Sequence, residues 1–383
     1  MTEVIFLKVL GITAEYNPFH NGHRYHIEES KKKTGCDICA VVMSGNFVQR
    51  GAPAICDKHI RASWAVQNGA DVVFELPVVY ALSTAEKFAF GAISLLNALD
   101  CAYVSFGAEN SLDEIKNVYK TYKNTDMSFS SSMPFHIART EIDNSFGILK
   151  KPNNILAFEY LKAIDKIQSH IVPFALGRSD KGYNSTEIEK YSSASAIRNA
   201  ILNNDNFSCS VPFDVEKFLK ENTSAYEELF TKLICYEVIT NQDNLDCISE
   251  VREGIENRII NVVKENSYSN YEELVKAIKS KRYTYTAISR MLFQILLKIT
   301  KNDTDVSPIY LRVLAFNSKG QELLKQLKKT CSLPIITKPS DYKKLDEDAI
   351  SMIEKDFLAA DIYNLATNKK GKADISTSPV VIS

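Results

Sequence analysis

The sequence contains no apolar run that approaches the length of a membrane-spanning helix. Its first ten residues are mostly apolar, but they include a glutamate and a lysine and no small-residue cleavage site. They therefore predict a first strand and not a signal peptide. With 45% hydrophobic and 24% charged residues among 383, the composition is ordinary for a globular protein. We expect a cytoplasmic protein that has no membrane association and needs no obligate protein partner.

The chain also lacks an excess of either charge and a regular cysteine framework. Its formal net charge is −1, so a nucleic-acid ligand would need a local basic patch. Eight cysteines are scattered along the chain, and Cys36 and Cys39 form a single Cys-x-x-Cys without a second pair at zinc-ribbon spacing. This usage favours reduced, structural thiols over redox or zinc chemistry, and we expect no protein metal ligand.

The most informative stretch runs from Val9 to Gly35. Val9–Ala14 is an apolar run that predicts a buried strand, and Pro18 ends the extended segment after it. A helical pattern begins at His20 and continues to Lys33, and Gly35 is suited to its C-terminal cap. The sequence therefore predicts a strand, a tight connection and a helix whose first turn carries two histidines.

His20 and His23 lie three positions apart, so they share one face of that first turn. The first turn of a helix presents free backbone N–H groups and the positive end of the helix dipole, which together bind phosphate. Gly22 between them has no side chain and leaves room for a nucleotide. The alternative is a pair of surface histidines, but the preceding strand and following helix favour a phosphate site.

Strands and helices alternate up to about residue 205, which predicts an α/β fold with a doubly wound parallel sheet. Ligands of such sheets bind at the carboxyl ends of the strands. After residue 205, helical patterns dominate, with one strand-like run at 309–316 and a polar, mobile tail from Thr367. We predict a nucleotide-binding catalytic domain at 1–205 and a mainly helical domain at 206–383. Residues 124–151 read as an insertion or lid.

Several strings in the chain are similar to one known family. The His20-Asn21-Gly22-His23 string resembles the His-x-Gly-His signature of the nucleotidyltransferase superfamily, whose fold is Rossmann-like. The longer string 15–23 is similar to the bacterial tRNA(Met) cytidine acetate ligases. Further similar strings lie at 42–51, 106–110, 152–156, 283–290 and 311–317. The resemblance covers most of the chain.

This resemblance implies an ATP-dependent ligase. Acetate would attack the α-phosphate of ATP, which superfamily members use as Mg-ATP, to give acetyl-adenylate. The N4 amine of the wobble cytidine in elongator tRNA(Met) would then take the acetyl group. One alternative is an acetate ligase that acts on a protein-bound thiol, as in citrate lyase ligase. Another is a nucleotide- and RNA-binding protein without catalysis, since fold alone does not fix function.

The resemblance and the positions of polar residues together assign the site. The catalytic residues are predicted to be His20, His23 and Lys58, where Lys58 would neutralise phosphate or carboxylate charge or else lie on a solvated face. ATP is predicted to contact the residues that follow the strands: Thr13, Ala14, Glu15, Tyr16, Asn17, Pro18, Phe19, His20, Asn21, Gly22, His23, His26, Gly107, Asn153, Asn154, Arg178, Ser195 and Arg198. Of the two asparagines we favour Asn154.

Two of these assignments have specific grounds. Ser195 and Arg198 open a helix and resemble the second superfamily signature, which binds the triphosphate, although a simple serine cap is the alternative. In the second half, basic and aromatic residues interleave, and the resemblance favours tRNA binding there over an exposed amphipathic helix. The predicted tRNA-binding residues are Lys281, Arg282, Tyr283 and Arg290.

Overall fold

The computed structural model describes residues 7–124, 147–177, 189–222, 224–252, 254–369 and 374–383. The first half alternates strands and helices as the sequence predicts. Its elements are β1 (Val9–Ala14), α1 (Asn21–Thr34), β2 (Ile38–Ser44), β3 (Phe47–Val48), β4 (Ala52–Pro53), α2 (Lys58–Gln67), β5 (Val72–Leu76), α3 (Val78–Ala81), α4 (Ala85–Ala98), β6 (Tyr103–Ala108), α5 (Leu112–Asn124), α6 (Pro152–Lys166), β7 (Val172–Gly177) and α7 (Ala194–Leu202).

The second half is mainly helical. Its elements are α8 (Phe213–Glu221), α9 (Thr231–Thr240), α10 (Ile255–Glu265), α11 (Tyr271–Ile278), α12 (Tyr285–Leu296), β8 (Leu311–Phe316), α13 (Ser318–Thr330), β9 (Ile335–Ile336), α14 (Glu347–Ala366) and β10 (Val380–Val381). Short 3-10 segments connect several of them. Most of the lid predicted at 124–151, and Arg178, lie outside the described residues.

The main sheet has the strand order β10-β8-β5-β2-β1-β6-β7. In addition, β9 pairs with the first two residues of β8. Its pairs are parallel except β5–β8, which is antiparallel. The predicted Rossmann-like α/β fold is therefore confirmed. The sheet nevertheless takes β8, β9 and β10 from the second half of the chain. The boundary at residue 205 thus does not separate two independently packed units.

Both faces of the sheet are covered, which explains the nearly continuous apolar strands. All seven residues of β2 are buried. Successive residues alternate between two cores: Ala40 and Val42 belong to the larger one, and Val41 and Met43 to the smaller one on the opposite face. This arrangement holds the carboxyl ends of the central strands β2 and β1 rigidly at one edge.

A small hairpin, β3–β4, leaves this edge and contacts the second half. Phe47 pairs with Pro53, and the turn contains Gln49, Arg50 and Gly51. The Ser289 hydroxyl on α12 donates a hydrogen bond to the Gly51 carbonyl at 2.5 Å. The hairpin therefore connects the nucleotide-binding half to α12, a contact that the sequence did not indicate.

Four charged side chains form a buried ion cluster. They lie at the start of α2, on β5, on β8 and shortly before β10. Lys58 Nζ donates to Glu75 Oε1 at 2.6 Å and to Asp374 Oδ2 at 2.7 Å. Arg312 Nη1 donates to Glu75 Oε2 at 3.0 Å and to Asp374 Oδ2 at 2.7 Å. Asp374 and β10 lie in the segment that we expected to be mobile. That expectation was wrong, because the segment supplies a charge to the cluster and a strand to the sheet.

No helix in the described part of the chain is both long and apolar enough to cross a membrane.

Candidate active site

A cleft of about 2530 Å³ runs along the carboxyl edge of the sheet. On one side it is lined by the residues after β1, by the start of α1 and by the start of α7. On the other side lie the hairpin turn and the start of α12. A small-molecule site needs roughly 300–1,000 Å³. The cleft is therefore large enough for a nucleotide together with part of a larger substrate.

His20 and His23 build the first turn of α1. His20 is the N-cap residue, and its Nδ1 accepts from the Gly22 backbone N–H at 3.1 Å. His23 Nδ1 accepts in turn from the His20 backbone N–H at 3.3 Å. This reciprocal arrangement is a capping box in which imidazoles replace the usual serine and glutamate. The two rings stack with centroids 3.6 Å apart.

These hydrogen bonds fix the tautomers of both histidines. An imidazole nitrogen that accepts from a backbone N–H carries no proton, so the proton of each neutral ring lies on Nε2. Each ring then offers an Nε2–H donor. The rings line the cleft beside the positive end of the helix. Tyr16 packs edge-on against His23 with the ring centroids 4.8 Å apart, and the Phe19 ring is tilted against His23 with the centroids 5.6 Å apart. The first turn is thus preorganised to bind anions.

The structure requires a glycine at position 22 for a reason that the sequence did not reveal. A Cβ at this position would lie 2.9 Å from Cε1 and 3.0 Å from Nδ1 of the His20 ring. The ring folds back over the glycine to reach its N–H. A side chain at position 22 would therefore displace the imidazole before it met any nucleotide.

Arg198 connects the second predicted signature to the first. Its Nη1 donates to the Asn17 carbonyl at 2.6 Å, and its Nη2 lies 3.3 Å from the Ser195 hydroxyl. Ser193 caps α7, since its hydroxyl accepts from the Ala196 N–H at 3.2 Å. Ser195 and Arg198 therefore stand opposite the loop that precedes α1, and both line the cleft.

Other residues near β1 hold the walls of the cleft in place. The Glu15 carboxylate accepts from the Gln49 N–H at 2.9 Å, which ties the hairpin to β1. The Thr13 hydroxyl is hydrogen-bonded to the Tyr160 hydroxyl. His26 Nε2 lies 2.8 Å from the Ser105 hydroxyl. These polar side chains in and near β1 thus hold neighbouring elements in position, and they also line the cleft.

Comparison with known proteins gives the family. A model of the HIGH Nucleotidyl Transferase family matches residues 7–377. The tRNA(Met) cytidine acetate ligase of Thermoanaerobacter sp. (strain X514) is 42% identical, over 94% of this chain and 95% of its own length. That of Clostridium perfringens (strain ATCC 13124) is 39% identical, over 98% and 100%. The chain belongs to the tRNA(Met) cytidine acetate ligase family. The resemblance noted in the sequence is thereby confirmed.

A solved structure of this ligase family agrees with the fold. Thermotoga maritima TmcAL bound with alpha-thio ATP is 30% identical and superimposes with a TM-score of 0.88, over 98% of this chain and 99% of that one. Its apo form gives a TM-score of 0.89. Both matches cover 98% of this chain, so they include most of its second half.

Most of the site residues predicted from this family line the cleft. Those lining it are Thr13, Ala14, Glu15, Tyr16, Asn17, His20, Gly22, His23, His26, Gly107, Asn153, Ser195, Arg198, Arg282, Tyr283 and Arg290. Pro18, Phe19, Asn21 and Lys281 are described but are not among the lining residues. Phe19 is fully buried, and Asn21 Nδ2 donates to the Cys209 carbonyl at 2.9 Å.

The two asparagines at the start of α6 have different surroundings. Asn154 is fully buried, and its Oδ1 accepts from the Glu109 and Asn110 N–H groups at 3.0 and 3.2 Å. Its Nδ2 donates to Asn110 Oδ1 and to the Ile148 carbonyl. Asn153 lines the cleft and donates to Glu109 Oε1 at 2.6 Å. Of the two, Asn153 is therefore placed to meet a ligand, contrary to our preference for Asn154.

Lys58 is also placed differently from its predicted role. Its side chain is 1% exposed, takes part in the buried ion cluster, and is not among the described residues that line the cleft. Arg61, on the same helix, is buried too and donates to the Ser44 carbonyl at 3.2 Å and to the Cys56 carbonyl at 3.0 Å. Lys58 therefore has a structural place in the ion cluster, away from the cleft, and its catalytic role stays a prediction.

The predicted tRNA-binding residues lie at and near the start of α12. Arg282 and Tyr283 line the cleft together with residues of the first half, and Lys281 is exposed. Arg290 also lines it, but its Nε donates to both Glu250 oxygens at 2.9 and 3.0 Å. The charge of Arg290 is thus largely neutralised within the protein.

The cleft has residues that suit ATP binding, but the described residues do not include a group of side chains arranged to hold a metal ion. The capping box, the bare Gly22 and Arg198 form a cradle for phosphates. Across the described ranges, no three His, Cys, Asp or Glu side chains cluster as metal ligands would. A magnesium ion carried by ATP would take its ligands chiefly from phosphate and water, as this ion commonly does.

Sequence reasoning missed several lining residues. Gln49 and Arg50 lie in the hairpin turn, Tyr25 lies on α1, and Tyr191 lies shortly before α7. The 42–51 string pointed to the hairpin without assigning roles. Tyr25 follows His23 by two positions in the same helix, which was an available signal.

Proposed function

We propose that the protein is an ATP-dependent ligase that forms N4-acetylcytidine at the wobble position of elongator tRNA(Met). One observation carries the proposal. The first turn of α1, built for anions by His20 and His23, lines the same cleft as Arg282 and Tyr283 of the second half. A nucleotide bound at the first turn and an RNA bound at the second half would therefore meet.

The side chains on the cleft suit a reaction that develops charge on phosphate oxygens. Acetate would attack the α-phosphate of ATP to form acetyl-adenylate and release pyrophosphate. The cytidine N4 amine would then attack the acetyl carbon, form the amide and release AMP. The Nε2–H donors, the helix dipole and Arg198 would stabilise the negative charge, and the fixed walls would align the reactants. These steps need no nucleophilic side chain.

The basic and aromatic character of the second half supports an RNA acceptor. Unpaired bases are recognised by stacking and by hydrogen bonds to their edges, with phosphates held by basic side chains. Arg282, Lys281 and Tyr283 supply these groups beside the cleft. Because tRNA is the acceptor, we propose that the protein acts in the cytoplasm. It would bind acetate and tRNA without another protein.

The test is incubation with ATP, labelled acetate and elongator tRNA(Met), followed by nucleoside analysis of the RNA. We expect label in N4-acetylcytidine and release of AMP and pyrophosphate. The matched control is the same tRNA with uridine in place of the wobble cytidine, which should stay unlabelled. Label on a protein thiol would instead support a citrate lyase ligase-like activity. RNA binding without pyrophosphate release would contradict catalysis altogether.

A further inference from the structure

Two tyrosines at the edge of the cleft remain unassigned by the proposed reaction. Tyr25 on α1 and Tyr191 before α7 are 45% and 52% exposed. Both line the cleft. Their ring centroids lie 5.9 Å apart, with the planes inclined at 57°. The rings therefore form an open aromatic corner facing the substrate space.

The elements that carry the two rings are tied to one short segment. Asn21, at the start of α1, donates to the Cys209 carbonyl at 2.9 Å. The neighbouring Ser210 hydroxyl donates to the Glu189 carbonyl. The Glu189 N–H in turn donates to the Ser192 hydroxyl at 2.7 Å, which closes the turn that contains Tyr191. The backbone segments that carry the two rings are thus tied together before any ligand binds, and such preorganisation lowers the entropy cost of binding.

Positive charge accompanies the aromatic corner. Lys190 Nζ lies 5.4 Å from the centroid of the Tyr191 ring. Lys150 and Lys151 line the same cleft, and Glu189 is the acidic residue that lines it within the Tyr191 turn. An aromatic surface beside ammonium groups is the combination that binds a nucleobase and its phosphate in single-stranded nucleic acid.

The location of the corner favours an RNA base over the adenine of ATP. Tyr25 lies five residues after the N-cap, about 7.5 Å along the helix axis and beyond the first turn where phosphates bind. A small-molecule ligand typically has about 70–90% of its surface buried in its site. The two half-exposed rings would leave a bound ligand partly exposed. They therefore suit a single-stranded RNA that passes over the edge of the cleft better than a buried adenine.

We propose that Tyr25 and Tyr191 form a stacking site for an unpaired base of the acceptor RNA, next to the reacting cytidine, with Lys190 near the adjoining phosphate. This inference rests on the proposed function and adds a recognition site to it. Stacking on tyrosine would hold the loop open so that the cytidine can enter the cleft.

The experiment compares Tyr25→Ala and Tyr191→Ala with Tyr25→Phe and Tyr191→Phe. Tyr236→Ala is the matched control, because Tyr236 is 65% exposed but is not among the residues lining the cleft. Binding of tRNA(Met) is measured by fluorescence anisotropy without ATP or acetate. ATP affinity is measured by calorimetry, and acetate-dependent ATP–pyrophosphate exchange by label transfer.

We expect each alanine variant to bind tRNA roughly ten-fold more weakly, as loss of one base stack does. The phenylalanine variants and Tyr236→Ala should bind like wild type, and exchange and ATP affinity should not change. Unchanged tRNA binding in both alanine variants would overturn the inference. Weakened ATP binding would overturn it too, by assigning the corner to adenine. Since the binding assay involves no chemistry, it gives an answer even if the wild-type protein fails to acetylate the RNA.

Discussion

Gly51 and Ser289 lie so close that a Cβ on the glycine would be 2.6 Å from the Ser289 carbonyl carbon, and closer still to the next backbone nitrogen. Gly51 also has a positive φ of 79°. The turn of the hairpin therefore packs directly on the backbone of α12. This contact sets the distance between the two sides of the cleft.

Gly51→Ala should destabilise the protein through both the backbone conformation and the clash. Gly254→Ala is the matched control, because Gly254 has a φ of 83° and nothing within 4 Å of a Cβ. We expect Gly51→Ala to lower the free energy of unfolding by about 1–3 kcal/mol more than the control, the usual cost of overpacking. Urea denaturation measures the difference. Equal effects of the two substitutions on the free energy of unfolding would mean that α12 shifts to accommodate the added Cβ without loss of stability.

Removing the histidine donors while keeping the helix cap should abolish most of the acetate activation. Asparagine is a good N-cap residue and glutamine completes a capping box, so His20→Asn and His23→Gln preserve α1. We expect each to reduce acetate-dependent ATP–pyrophosphate exchange roughly 10²-fold, as loss of one preorganised donor does. His170→Gln, at an exposed histidine paired with Asp100, serves as control. Exchange near the wild-type rate in both cleft variants would refute the role of the donors.

Asn153 and Asn154 should separate function from stability. Asn154→Ala leaves the Glu109 and Asn110 N–H groups without their side-chain acceptor, and unsatisfied buried groups cost about 1–3 kcal/mol. Asn153→Ala should leave the unfolding free energy nearly unchanged but weaken ATP binding in calorimetric titration. If ATP affinity is the same in wild type and Asn153→Ala, the cleft-facing asparagine does not contact the nucleotide.

Lys58→Met tests the structural role of that lysine. The substitution leaves Glu75 and Asp374 buried with Arg312 as their remaining cationic partner, so we expect a loss of roughly 3 kcal/mol in the free energy of unfolding. Lys33→Met, which removes a half-exposed pair with Glu29, should cost less than about 0.5 kcal/mol. The exchange rate per folded molecule should stay at the wild-type level. A stable variant without exchange activity would support the predicted catalytic role of Lys58.

The same cluster predicts how stability depends on pH. Burial alone would raise the pKa of Asp374, but the charges of Lys58 and Arg312 outweigh it and hold the pKa well below its usual range. A lowered carboxyl pKa stabilises the folded state above the unfolded-state value of about 3.9, and that stability is lost as the pH falls further. Asp374→Asn should therefore show a shallower loss of stability than wild type below about pH 4. Parallel acid-unfolding curves would contradict this.

The parts of the fold that were predictable are those fixed by local sequence. The apolar run of β1, the cap at His20 and the left-handed Gly35 each act within a few residues, so β1 and α1 appear where the pattern indicates. The β3–β4 hairpin has strands of two residues each, too short for a periodic pattern, and depends on its contact with α12.

The differences between the predicted and the observed site come from partners that are distant in sequence. Lys58 at the start of a helix looked available for phosphate, but Asp374, 316 positions later, takes its charge. Asn154 is removed from the cleft by backbone groups about 45 positions earlier. His20, Gly22 and His23, by contrast, interact with one another, so their neighbourhood could be read from four consecutive residues.

The ion cluster has a consequence for biosynthesis. Lys58 and Glu75 leave the ribosome long before Asp374, and at 5–20 residues per second the interval of 316 residues takes roughly 15–60 s. Throughout that time the nascent sheet lacks one acidic side chain of the cluster as well as β10, and for most of it β8 is missing too. The first half of the chain therefore completes its structure late in translation, after nearly all of the second half has been made.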